Sequence, residues 1–260
     1  MYKIILPIVL IIAALTSGCS YFSKDKEDSS RNWTVERLYA EAKGAMESGN
    51  YSNAKKYFEF LETRFPFGVY GQQSLLDLSY VYYKTEDFDS AISSCDRFIR
   101  LYPQNPHVDY AYYLKALVNF NRGRGFMERV LPIDISQRDS TYMRTSFQDF
   151  KDLVERFPDS RYTPDSRQRM VYLRNTLGRY EVNVAMYYMR RGAYVAAANR
   201  ARYAVENYPR TPAIPDALTI MAKAYKVLEM DDLSRDALRV LKLNYPNHPG
   251  IDEVEQTRVN

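Results

Sequence analysis

The sequence predicts an all-α protein: a right-handed superhelix of five stacked helix pairs. Two observations lead there. First, one pattern recurs five times: a small residue, an apolar residue four positions later, another three after that, and a proline five further on. The instances are Ala54-Phe58-Leu61-Pro66, Ala91-Cys95-Phe98-Pro103, Ser146-Phe150-Leu153-Pro158, Ala197-Ala201-Ala204-Pro209 and Ser234-Leu238-Leu241-Pro246. Each proline follows an aromatic: Phe65, Tyr102, Phe157, Tyr208 or Tyr245. Second, another helical segment lies upstream of each pattern. Spacings of four and three keep side chains on one helical face. The small residue lets the upstream helix approach closely. Proline lacks an amide donor and bars the residue before it from helical geometry, so each helix stops there.

The pattern resembles helix B of the tetratricopeptide repeat, a helix–turn–helix unit of roughly 34 residues with Ala-x3-Phe and a closing proline. In order, the first turn between helices A and B is Ser48-Gly49-Asn50, and Tyr51 opens helix B. In the second repeat the turn is Thr85-Glu86-Asp87, followed by Phe88. The third carries an insertion at Asn121 to Asp139, with Arg122-Gly123-Arg124-Gly125 and then Val130, Leu131, Ile133 and Ile135. No strand precedes those glycines, so they read as a loop and not as a phosphate cradle. The fourth has an unbroken helical pattern from Pro164 to Arg191, then the turn Arg191-Gly192-Ala193 and Tyr194. Gly49 and Gly192 suit the left-handed position that closes a helix. The fifth repeat has Asp231 in place of the aromatic and is the weakest match. Proline spacings of 37, 55, 51 and 37 put the extra length in repeats 3 and 4. In repeat 4 it lengthens helix A by about 25 Å and joins two halves.

The N-terminus reads as a secretory signal. Lys3 precedes an apolar run from Ile4 to Ala14, which is followed by Leu15-Thr16-Ser17-Gly18-Cys19. A bilayer span needs about 20 apolar residues, more than this run supplies. Small residues ending at a cysteine resemble the lipobox of bacterial lipoproteins, which implies cleavage before Cys19 and its acylation. Ser20 then implies the outer membrane. Stable anchoring takes at least two lipid signals, which the acyl chains on Cys19 would supply. Ser20 to Arg31 is polar and charged, a leash reaching about 40 Å. The expected organisation is a signal at 1–18, an anchored linker at 19–32, repeats 1–3 at 33–158 with insertion 121–139, and repeats 4–5 at 159–260.

Composition narrows the function. The formal charge of +4 falls to +3 once Lys3 is removed, mild and mixed, with no basic tract for nucleic acid. Cys95 has no partner once Cys19 is lipidated and reads as a core residue. His107 and His248 are far apart and each sits beside a proline, with no metal-ligand spacing. No nucleophile–base set and no phosphate loop stand out, so no enzyme, metal or cofactor is implied.

Binding is expected on the concave face, lined by the A helices. In repeat 2, Leu75, Ser79 and Tyr82 share an inward-packing face; Gln73, Leu76, Tyr80, Tyr83 and Lys84 share the face toward the concavity. The same register adds Tyr39, Lys43, Tyr110, Tyr113 and Phe120. Among 24 tyrosines, this stripe suits an extended apolar ligand, since tyrosine offers apolar area and a hydroxyl at low entropic cost. The bland alternative is inter-repeat packing.

Four stretches carry a closer resemblance. They are Arg64-Phe65-Pro66-Phe67-Gly68 with Tyr70 and Gln72-Gln73; Asp96 to Leu101; Ser146-Phe147-x-Asp149-Phe150; and Tyr180-Glu181 through Arg191-Gly192-Ala193-Tyr194-Val195-Ala196. With the insertion and Cys19, the chain resembles the BamD family, repeat lipoproteins of the outer-membrane β-barrel assembly machine. Phe65 stands where the family often has Tyr, and the end after Tyr245 diverges. The resemblance implies a non-enzymatic scaffold, lipid-anchored at the outer membrane and facing the periplasm. Its C-terminal repeats would bind the POTRA region of the barrel-forming subunit, with Arg200 at the contact. Its N-terminal repeats would face accessory Bam lipoproteins and unfolded outer-membrane protein precursors, with Phe65 at the recognition site. A precursor's aromatic C-terminal strand would suit a groove of Phe65, Tyr80, Tyr83, Tyr110 and Tyr113. The alternative is a pilot or scaffold for another envelope machine, a secretin or cell-wall complex; a pilot would co-purify with a secretin.

Cys19→Ala is expected to abolish acylation and to give soluble periplasmic protein or uncleaved precursor. Mass spectrometry of the mature N-terminus checks this; an unmodified wild-type Cys19 overturns it.

Overall fold

The computed structural model describes residues 32–122 and 140–257, and the signal, the leash and positions 123–139 lie outside them. Five antiparallel helix pairs follow one another. They are α1 (Val35–Glu47) with α2 (Tyr51–Arg64), α3 (Gly68–Lys84) with α4 (Phe88–Leu101), and α5 (Val108–Arg122) with α6 (Thr141–Arg156). Then come α7 (Thr163–Arg190) with α8 (Tyr194–Asn207), α9 (Ile214–Val227) with α10 (Asp231–Asn244), and a short α11 (Gly250–Gln256). Each helix packs on the next, and the A helices α1, α3 and α5, and likewise α7 and α9, also touch in succession. This is the tetratricopeptide-like all-α array that the periodicity predicts.

The five-fold pattern maps onto one backbone device. Phe65, Tyr102, Phe157, Tyr208 and Tyr245 each cap a B helix with ψ between 50° and 65°. Each donates its amide to the carbonyl of the third pattern residue: Leu61, Phe98, Leu153, Ala204 or Leu241. All five of those acceptors are buried, as are the small residues that begin each pattern. Where the small residue is serine it does more than save space. Ser146 donates its hydroxyl to Ala116 O at 3.0 Å and Ser234 to Ala222 O at 2.9 Å, joining helix B to helix A.

Four of the five A-to-B turns share one geometry. Gly49, Glu86, Gly192 and Glu229 take φ between +59° and +77°, and the next residue donates its amide back to the carbonyl five positions earlier. That is the Schellman closure. The sequence singled out the two glycines; Glu86 and Glu229 hold the same left-handed backbone without glycine's freedom. Between α5 and α6, positions 123–139 lie outside the described residues, and of the stretch expected as an insertion the first two residues are helical. Asn121 and Arg122 still belong to α5, and Asn121 donates to Leu117 O.

One further feature departs from expectation. Tyr82 does not pack inside repeat 2 alone: its hydroxyl donates to Glu59 of α2 at 2.8 Å, and its ring joins the repeat 1 core as well. After Tyr245, Val254 of α11 is buried against Ala222 and Ala237 of the last repeat. Repeat 4 behaves as expected: α7 runs 28 residues without a break.

The corner between α2 and α3 depends on Gly71. A Cβ there would lie 2.5 Å from Phe65 O and 2.8 Å from Pro66 C and O, all backbone atoms that cannot swing aside. Gly71→Ala is therefore expected to lower the melting temperature, with overpacking costing about 1–3 kcal/mol. Gly44→Ala, where an added Cβ meets nothing within 4 Å, is expected to be neutral or stabilising. Thermal unfolding followed by circular dichroism checks both.

Candidate functional site

The A-helix side of repeats 1 to 3 holds an open cavity of about 440 Å³. Helix α3 supplies Gln73, Leu76, Asp77 and Tyr80, a spacing that puts all four on one helical face. Lys43 and Met46 enter from α1, Tyr110 from α5, and Arg161 and Tyr162 from the turn before α7. Leu76 is buried beneath it and Tyr110 is half-buried; Lys43, His107 and Arg161 bring basic groups to its wall. The cavity thus mixes aromatic rings, Tyr80, Tyr110 and Tyr162, with polar and charged groups, Gln73, Asp77, Lys43 and Arg161.

Asp77 is the polar centre of this wall. It accepts from Tyr39 Oη at 2.9 Å and from Gln73 Nε2 at 3.3 Å, and it pairs with Lys43 Nζ at 3.5 Å. Burial pushes its carboxyl above the ordinary aspartate value, against the opposing pull of Lys43 and the two donors. The same burial and the nearby carboxylate push the Tyr39 phenol up. Tyr110 is also raised, chiefly by burial.

A second cluster lies at the junction of repeats 3 and 4. Glu181 of α7 is wholly buried. Arg144 of α6 reaches its Oε1 at 2.6 Å, and Arg200 of α8 reaches its Oε2 at 2.8 Å. Arg144 also donates to Tyr208 Oη at 2.7 Å and Ser140 Oγ at 3.3 Å.

Known proteins match this chain over most of its length. A family model described as YfiO, outer membrane lipoprotein, matches residues 31–241. The "Outer membrane protein assembly factor BamD" of Neisseria meningitidis serogroup B is 44% identical over 250 residues, covering 96% of this chain and 93% of that protein. The protein of the same name from Xylella fastidiosa strain Temecula1 is 39% identical, covering 94% and 83%. That from Haemophilus influenzae is 37% identical, covering 91% and 88%. The chain belongs to the BamD family.

In this BamD-family chain the expected groove residues separate. Tyr80 and Tyr110 line the cavity together. Tyr83 lies one turn along α3, its ring 6.4 Å from that of Tyr80, in a separate depression of about 220 Å³ with Lys84, Glu86, Phe88 and Asn121. Its hydroxyl accepts from Asn121 at 2.7 Å. Tyr113 stacks on Tyr162 at 4.6 Å and donates to Asp165 at 2.7 Å, so it serves the joint with α7. Phe65 caps α2, half-buried in the repeat 1 core with the Arg64 guanidinium 5.1 Å from its ring. Beside it Phe67 and Val69 are exposed at 88% and 80%. Arg200 is not a lone solvated charge; it shares the Glu181 carboxylate with Arg144.

Asp77, His107, Arg161 and Tyr162 of the cavity, and Glu181 of the second cluster, are not among the candidates the sequence offers. Asp77 had a readable signal, since it stands four after Gln73 and three before Tyr80 on the chosen face. The others did not, because they come from neighbouring elements. Cys95 is free and buried, and burial pushes its thiol up to about 12, which suits a core role. Among the described residues no three His, Cys, Asp or Glu side chains group to hold a metal ion, and no helix is long and apolar enough to cross a membrane.

The raised Asp77 carboxyl has a pH signature. Its contribution to stability is full below its unfolded pKa of about 4 and is lost as pH rises through the higher folded value. Asp77→Asn keeps an acceptor for Tyr39 but has no proton to lose. The variant's melting temperature relative to wild type is therefore expected to climb as pH rises above about 4. Thermal melts across that range check it; a constant difference would mean that Lys43 fully offsets burial.

Proposed function

We propose that the chain is an outer-membrane lipoprotein scaffold of the β-barrel assembly machinery. It is anchored through Cys19 and faces the periplasm. It receives unfolded barrel precursors on repeats 1 to 3 and binds the POTRA region of the barrel-forming subunit through repeats 4 and 5. Accessory Bam lipoproteins are further partners. Membership of the BamD family supports the assembly role.

The observation that carries the precursor reading is the cavity with Tyr80, Tyr110 and Leu76 inside and Lys43 and Arg161 at its wall. An aromatic residue from a precursor's last strand packs on the rings of Tyr80 and Tyr110, and Arg161 meets an acidic or carboxylate group beside it. Recognition then uses side-chain pockets. Every regular element among the described residues is helical, so these residues offer no strand edge for β-augmentation. Phe65, with the exposed Phe67 and Val69 beside it, extends the apolar surface at the corner of repeats 1 and 2. Arg200, 42% exposed on α8, is the POTRA contact.

The test compares Tyr80→Ala with Tyr113→Ala, using a synthetic peptide that ends in a precursor's aromatic strand. Tyr80→Ala is expected to weaken binding by about 30-fold, the effect of losing a 2 kcal/mol anchor, and to lower the melting temperature as well, since its ring packs on the core around Ala91 and Cys95. Tyr113→Ala is expected to lower the melting temperature but to keep affinity, because it breaks the stack on Tyr162 and the bond to Asp165. Wild-type affinity in Tyr80→Ala would remove the cavity from the binding site.

A further inference from the structure

Glu181 has no exposed side-chain surface, yet it lies between two arginines whose side chains are 37% and 42% exposed. A carboxylate in that position must be neutralised from close by, since an unpaired buried charge is costly. The two arginines share the task unequally. Arg144 is engaged along its whole guanidinium: Nη2 on Glu181, Nη1 on Tyr208 and Nε on Ser140. Arg200 gives Nη1 to Glu181 and turns its remaining surface to solvent. Two guanidiniums against one carboxylate leave an excess positive charge, and it surfaces at Arg200.

We propose that Glu181 is a positioning residue: it presets the Arg200 guanidinium for an acidic side chain of the partner and, through Arg144, ties that contact to the seating of repeat 3 on repeat 4. This rests on the reading of Arg200 as the POTRA contact. An arginine already held by one N–H has less rotamer freedom to lose when a carboxylate arrives, so binding is tighter for the same contact. Arg144 decides how much of Arg200 is available. While Arg144 serves Oε1, Arg200 has only Oε2 to satisfy. If repeat 3 shifts and Arg144 withdraws, Arg200 must neutralise Glu181 alone and turns inward, away from the partner. The linkage is reciprocal. A partner carboxylate that draws on Arg200 increases the hold of Glu181 on Arg144 and tightens the junction between the two halves.

The experiment is a double-mutant cycle on the full chain, with the purified POTRA region as ligand and affinity read by calorimetry. Arg200→Ala is used in place of charge reversal, because a new carboxylate there would face Glu181. The expected losses are about 30-fold for Arg200→Ala and about 10-fold for Glu181→Gln, with the double variant no weaker than Arg200→Ala. If Glu181 merely supported the fold, the two losses would multiply, and that result overturns the proposal. So does wild-type affinity in Glu181→Gln. Wild-type affinity in Arg200→Ala would instead remove the underlying POTRA contact. Should Glu181→Gln fail to fold, Arg144→Lys takes its place. It is expected to lose about 3-fold in the wild-type background and nothing in the Arg200→Ala background. A loss that survives there overturns the coupling.

Discussion

The array rests on a backbone constraint repeated five times: an aromatic residue that cannot stay helical because a proline follows it. Phe65, Tyr102, Phe157, Tyr208 and Tyr245 leave helical geometry while still donating an amide to the last buried residue of the helix. The B helix therefore ends a set distance from its apolar face. The next A helix begins from a set place, and its own face meets the same core. The serine hydroxyls that reach from helix B to helix A in repeats 3 and 5 depend on this register, as does the corner at Gly71 that seats Phe65. The cavity between α1, α3 and α5 follows, because three A helices started in register present Lys43, Tyr80 and Tyr110 to one space.

Much of this was legible in the sequence because a local rule governs it. Helix ends follow from proline, and buried faces follow from spacings of three and four. Two of the four left-handed turn positions carry glycine and were readable; Glu86 and Glu229 were not, since a glutamate there gives no sign of positive φ. The candidate site was legible only by helix face. That placed Tyr80 and Tyr110 on one cavity. It failed to separate Tyr113, which shares the face but is claimed by Tyr162 and Asp165 from α7 and the turn before it. Tyr162 lies 49 residues further along the chain, and no periodicity links the two. The same holds for Glu181, whose partners lie 37 residues before and 19 after it.

Interior charge follows one rule through the array. Asp77 of α3 is met by Lys43 of α1, Asp149 of α6 by Lys115 of α5, and Glu181 of α7 by Arg144 of α6 and Arg200 of α8. Each carboxylate is buried or nearly so, and each cation comes from a different helix. Burial pushes the Asp77 and Asp149 carboxyls up, so neither ion pair fully repays its desolvation. What these pairs do supply is matching between neighbours. A helix displaced by a turn would leave a buried charge unmet, whereas an apolar contact tolerates some sliding.

Helix α7 gives the molecule a lever. Its 28 unbroken residues span about 42 Å. Leu173 and Leu177 enter the core of repeat 3, and Val182 and Ala185, the next turns along, enter the core of repeat 4. Both cores grip the same rod, with no flexible joint between them. A sideways force on repeat 5 therefore arrives at repeat 3 as torque instead of being lost in a hinge. A pull at one end of the scaffold would be felt as a change of orientation at the other.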